Sequence, residues 1–176
     1  MLSSQLLEMI EKNSRHMAAA WREGIKGSPY SKTYQRFADA ELERRARDVY
    51  DNLGRWLDRD TTMDEIGASY LAVGCRRYQE GFPLCEVQYG LYYTKKVLWD
   101  HLLSQGLLTN ALEMFQALDL FLRLQNFFDL ASFYIIRGWL REMAHKMEGA
   151  GGAGRDGLKD LFPAGSFALE FNPERY

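Results

Sequence analysis

The sequence predicts an all-α fold: a bundle of five helices, then a Gly-rich linker and a short C-terminal tail. Apolar residues recur at intervals of three and four through most of the chain, with no sustained alternation of the kind a half-buried strand shows. Helix start and stop signals divide the chain into segments, among them Ser28-Pro29, Thr62-Met-Asp-Glu65, Gly81-Phe-Pro83 and Asn110-Ala-Leu-Glu113. Of 176 residues 47% are apolar, 14% aromatic and 26% charged, which suits one core-forming domain of ordinary globular type.

The first helix is expected from about Ser4 to Gly24, where Leu6, Ile10, Met17, Trp21 and Ile25 share one face. Gly27-Ser28-Pro29 stops it and restarts the chain, Ser28 serving as N-cap and Pro29 as first helical residue. A second helix runs from about Pro29 to Leu57, with Tyr34, Phe37, Ala38, Val49, Leu53 and Trp56 as its apolar residues. Its charged run Glu41 to Asp48 reads as a solvated or inter-subunit face. Thr62 to Glu65 has the form of a capping box and opens a third helix that ends at Gly81. Pro83 starts the fourth at once. So short a link predicts an antiparallel hairpin, the fourth helix continuing through Leu84, Val87, Leu91, Leu98 and Leu102 to Gly106.

Asn110 to Glu113 repeats the capping-box form and opens the longest helix, about Ala111 to Met147. Phe115, Leu118, Phe121, Leu122, Leu124, Phe128, Ile135, Ile136 and Trp139 cover most of its circumference, so it is either central or shared between a core and a dimer seam. The domain therefore spans residues 1–148. Five glycines among residues 149–157 make that segment a linker, and Arg155-Asp156 after the glycines excludes a phosphate loop, which needs Lys and Ser or Thr there. Residues 158–176 form an apolar tail. It either packs on its own domain or docks on a partner through Leu161, Phe162, Phe167 and Phe171.

Lys plus Arg is 22 and Asp plus Glu 24, a net charge of −2, which lacks the electrostatic footprint of a nucleic-acid binder. The N-terminus shows no basic region followed by an apolar one, and the longest apolar stretch, Leu130 to Ile136, is far below the ~20 residues a spanning helix needs. A cytoplasmic protein without membrane insertion is expected. Cys75 and Cys85 form no CxxC pair and have no His at zinc-site spacing, so they read as reduced thiols, a redox pair across the hairpin being the other reading.

Patterns for metalloprotease, α/β-hydrolase and zinc deaminase chemistry are absent from the sequence, which points away from an enzyme and implies no cofactor. His16, His101 and His145 fall on separate helices or helix ends. A single His is enough to ligate haem, which makes His101, after Trp99-Asp100, the one candidate for a haem or other small-molecule binder. On the last helix Asp119, Arg123, Asn126, Arg137 and Arg141 fall on one solvent stripe at 100° per residue, yet Gln125, Asp129 and Ser132 make a second polar stripe away from it. These three are either a second solvent edge or the lining of an internal polar pocket, with Tyr89, Tyr92, Tyr93 and Trp99 of the fourth helix as an aromatic wall.

The stretch Arg76-Arg-Tyr-Gln-Glu-Gly-Phe-Pro-Leu-Cys-Glu-Val-Gln-Tyr-Gly-Leu91 resembles the turn of RsbT co-antagonist N-terminal domains, with a Gly, an aromatic, then Leu-x-Glu-Val; Trp21 matches a helix-one tryptophan of the same domains. The resemblance covers about Leu2 to Met147. It implies an all-helical sensory or regulatory domain, globin-like but without haem, often dimeric, and usually fused to a signalling output. After residue 148 only a linker and a short tail are read, with no output domain expected, so the expected mode of action is contact with a separate protein of a signalling pathway, as a homodimer, with a small ligand sensed between the helices. Gly81, Phe82, Leu84, Glu86 and Val87 match the turn, and their expected physical roles are helix stop, hairpin packing and capping.

Overall fold

The computed structural model describes residues 2–58, 60–105 and 111–149. They form seven α-helices, α1 (Leu2–Lys12), α2 (Ser14–Gly27), α3 (Asp39–Asp51), α4 (Leu53–Trp56), α5 (Met63–Gln79), α6 (Leu84–Ser104) and α7 (Ala111–Gly149), with a 3-10 turn at Lys32–Arg36 and no strand among the described residues. The all-α class stands; the count of five does not. Two expected helices are each divided. At Asn13 the side-chain amide donates to Met9 O at 2.8 Å, competing with the helix's own bonding, and α1 passes to α2. The apolar face nevertheless continues across the break, with Leu6, Ile10, Met17, Trp21 and Ile25 all buried.

Between α2 and α3 the chain is held by specific contacts instead of helical bonds. Ser31 Oγ donates to Ile25 O at 2.7 Å, and the Thr33 amide donates to the Glu86 carboxylate of α6 at 2.8 Å. Phe37 is extended and stacks on Phe82 with ring centroids 5.1 Å apart, so burying its ring displaces helix continuity at that residue. A further break at Asn52, whose side chain donates to Asp48 O at 2.6 Å, separates α3 from the single turn of α4.

The Thr62–Glu65 capping box forms as expected: the Glu65 amide donates to Thr62 Oγ1 at 3.3 Å, and the Thr62 amide to Glu65 Oε2 at 2.9 Å. At its other end α5 closes in a Schellman motif. Gly81 takes the left-handed conformation, φ +79°, and the Phe82 amide donates to Arg77 O at 2.9 Å. The stop at Gly106, the cap residue Asn110 and the tail lie outside the described residues.

The expected α5–α6 hairpin is corrected in its packing. The chief neighbour of α5 is α7, and the two run in the same direction: Tyr70 meets Phe127, Tyr78 meets Trp139, and Gln79 Nε2 donates to Glu142 at 3.1 Å. Glycine at Gly74 and Gly138 permits this, because a Cβ on either would collide with the backbone of the facing helix. α6 lies antiparallel to α7, with Trp99 on Phe121 and Gln88 bonded to Ser132, and antiparallel to α2, where Trp21 Nε1 donates to Gly90 O at 3.1 Å. α3 packs chiefly on α2 and is tied to it by ion pairs from Arg22 to Asp39 and Glu43.

Candidate functional site

With α3 on α2 and α5 on α7, a cavity of about 430 Å3 lies between α3 and α5, backed by α6 and α7. That is within the usual size range of small-molecule sites, roughly 300–1,000 Å3. Its buried wall includes Trp21, Tyr34, Tyr70, Val87, Thr94 and Ile135, with Val49, Trp56, Val73 and Leu91 half-buried beside them. Its outer edge is charged: Arg44, Arg45, Arg76 and Arg77 alternate with Glu41, Asp48 and Glu80.

The edge is organised around Glu80, at the end of α5. Arg45 of α3 binds it in a bidentate fork, Nη1 to Oε2 at 2.9 Å and Nη2 to Oε1 at 2.8 Å, and also reaches Glu41. Arg77 donates to the same Oε2 from Nη1 at 2.7 Å. Two guanidiniums thus share one carboxylate. Burial raises the Glu80 pKa, but hydrogen bonds and charges from Arg45 and Arg77 outweigh it and hold the carboxyl below its ordinary value. Arg77 is pulled the other way, below the usual guanidinium value, by burial and by the neighbouring Arg45. Both arginines also cover aromatic faces, Arg45 over Phe37 and Arg77 over Phe82.

Deeper in the cavity, Gly90 lets side chains converge on its backbone. Its carbonyl accepts from Trp21 Nε1 and from Thr94 Oγ1 at 2.9 Å, while the Tyr34 hydroxyl lies where a Cβ would stand. Burial pushes the Tyr34 phenol up to about 12 and raises that of Tyr70 as well. Neither hydroxyl makes a hydrogen bond among the described residues, whereas the buried Tyr50 hydroxyl donates to Thr94 O at 3.0 Å.

The residues singled out in the sequence lie elsewhere. Gln125 and Asp129 are exposed on the α6–α7 seam, where Gln125 Nε2 donates to both Asp129 carboxylate oxygens at 2.9 Å and Lys95 approaches Asp129 at 3.9 Å. Ser132 Oγ donates to Gln88 Oε1 at 2.6 Å on the same seam. The second polar stripe is therefore an outer edge rather than an internal pocket, because α6 covers only one side of it. Tyr89 and Tyr93 face α2 instead, Tyr89 accepting from Ser28 Oγ at 3.0 Å and Tyr93 lying against Gly24. His101 sits beside His16, ring centroids 6.3 Å apart, and outside the cavity lining, so the geometry does not favour a haem reading centred on it. Cys75 donates to Gly138 O at 3.4 Å and Cys85 is exposed; burial raises the Cys75 pKa, which works against a thiolate. Leu161, Phe162, Phe167 and Phe171 lie outside the described residues.

Sequence reasoning missed Arg45, Arg77 and Glu80 as a group. A signal existed: Leu42, Ala46, Val49 and Leu53 keep an apolar face through the charged run, and Arg45 flanks it. Nothing in sequence spacing, however, brings residue 45 to residue 80.

The fold and its cavity define a helical domain with a half-open cleft whose edge is charged. Residues 5–150 match the family described as the RsbT co-antagonist protein rsbRD N-terminal domain, and the chain belongs to that family of regulatory signalling domains. No curated protein and no solved structure matches the chain. No described helix is long and apolar enough to cross a membrane.

Proposed function

We propose that this chain is a non-enzymatic input domain that senses a small ligand in the α3–α5 cavity and passes its occupancy on through protein contacts, in the cytoplasm. One observation carries the reading. Arg45 and Glu80 tie α3 to the end of α5 at the edge of a half-open cavity, so the spacing of these helices depends on polar contacts with which a ligand competes. A ligand that binds one spacing better than the other shifts the population between them. The close approach of α5 to α7 at Gly74 and Gly138 then carries the shift to α7, whose outer side exposes Phe115, Leu118 and Leu122. A homodimer seated on that ridge receives it, and the tail, through Leu161, Phe162, Phe167 and Phe171, holds the protein partner. The seam of Gln125, Asp129 and Ser132 then borders the output surface rather than the ligand.

Native mass spectrometry of the chain incubated with a small-molecule extract of bacterial cells tests the ligand. Retention of a small molecule by the wild type and its loss from Val73→Trp, which fills the cavity, is the expected result; equal retention by both would place the ligand elsewhere. For the tail, affinity capture with residues 1–176 and 1–148 is expected to hold a partner with the longer chain alone.

A further inference from the structure

The cavity's chemistry goes beyond the presence of a ligand and bears on its class. Its edge carries four arginines against three carboxylates. Arg77 is withdrawn from solvent yet only partly compensated: its side chain is 13% exposed, its one carboxylate is already held by both arms of the Arg45 fork, and its Nε and Nη2 donate to no acceptor among the described residues. A guanidinium with two free donors in one plane matches a carboxylate bidentately. Near Arg77 and Arg45 stands the hydroxyl of Tyr34, a residue only 4% exposed. It makes no hydrogen bond among the described residues, and its oxygen is not sealed off, so it is open to water or to an anion in the cavity. Beyond these donors Tyr70, Val87, Leu91 and Ile135 give an apolar wall, beside which stand the polar Asn52, Ser69 and Thr94. Donors at one end and apolar surface at the other fit an amphiphile with a single anionic head.

We infer that the cavity binds a small monocarboxylic acid with an aromatic or aliphatic body, the carboxylate against Arg77 and Tyr34 and the body along α5 and α6. This rests on the ligand-sensing reading above. It also makes the ligand a competitor of Glu80: a carboxylate at Arg77 removes the need for that arginine to share Glu80 and alters the tie between α3 and α5.

The test uses the full chain and three matched pairs of probes, hexanoate with hexanol, decanoate with decanol, and 4-phenylbutyrate with 4-phenylbutanol. Binding is read by the fluorescence of Trp21 and Trp56, which line the cavity, and by calorimetry. At least one acid is expected to saturate the protein and to bind about tenfold or more tightly than its alcohol, the scale of one hydrogen-bonded charge. Arg77→Gln should bring that ratio to near one while leaving alcohol binding in place. Tyr34→Phe, which keeps the ring packing, should lower acid affinity about threefold to tenfold and guards against a folding defect in the first variant. Acid and alcohol binding equally, or a preference that survives both substitutions, overturns the inference but leaves the cavity a ligand site. Failure of every probe to bind saturably overturns the inference together with the ligand-sensing reading.

Discussion

Gly74 of α5 and Gly138 of α7 meet where the backbones of the two helices come into direct contact. A Cβ on Gly74 would stand 2.9 Å from Trp139 N and closer still to Ile135 O; one on Gly138 would stand 3.0 Å from Cys75 N and closer still to Leu71 O. Backbone cannot yield as a flexible side chain does. Gly138→Ala is therefore expected to destabilise the domain by about 2–3 kcal/mol or more through forced separation of the helices. Gly27→Ala, where a Cβ meets nothing within 4 Å, should be neutral or stabilising by up to about 1 kcal/mol. Urea unfolding of the two variants side by side checks both signs.

Glu80 makes stability depend on pH in a defined direction. Its carboxyl is held below the ordinary value in the fold, so the stability it contributes is present above the unfolded pKa of about 4.3 and is lost as pH falls through the lower folded value. The urea midpoint should fall as pH drops from about 5 towards 3, and Glu80→Gln should reduce that slope. At neutral pH the same variant should lose roughly 1–3 kcal/mol, since Arg45 and Arg77 are left without the carboxylate they share. An unchanged pH slope in the variant would show that another carboxylate carries the effect.

Thr62 is the cap that sequence and structure agree on. Thr62→Ala removes the acceptor of the Glu65 amide and should cost about 1 kcal/mol, with Thr62→Ser restoring most of it. Thermal unfolding followed by circular dichroism distinguishes the pair.

The exposed ridge of α7 makes the proposed dimer testable. Phe115 and Leu122 are 75% and 63% exposed, unusual for side chains of that size at helical spacing. Sedimentation equilibrium of the wild type should give a dimer and Leu122→Glu a monomer of unchanged helicity. A monomeric wild type at micromolar concentration would remove the dimer from the proposal.

The class of fold was readable because a 3.6-residue period is a local property. Leu6, Ile10, Met17, Trp21 and Ile25 announce one face and all are buried; Thr62, Glu65 and Gly81 announce the ends of α5, and the cap and left-handed turn stand there. The breaks at Asn13 and Asn52 were hidden because periodicity continues across them, and the extended Phe37 because its ring is recruited by Phe82, 45 positions away.

The candidate site was much less legible. Gln125, Asp129 and Ser132 stand out on a helical wheel, but a wheel does not tell which side a neighbouring helix covers, and α6 leaves Gln125 and Asp129 in solvent. By itself, then, the sequence determined the helical class, the Thr62–Glu65 cap and the Gly81 stop, since all of these depend on residues within about one or two turns of each other, whereas the expected helix start at Ser28-Pro29 did not form and α3 begins at Asp39. The pairing of α5 with α7, the cavity left beside α3 and the meeting of Arg45, Arg77 and Glu80 were decided only in the tertiary structure. They depend on how closely helix backbones can approach and on which distant charges must share a solvent-poor space, and neither is encoded in spacing along the chain.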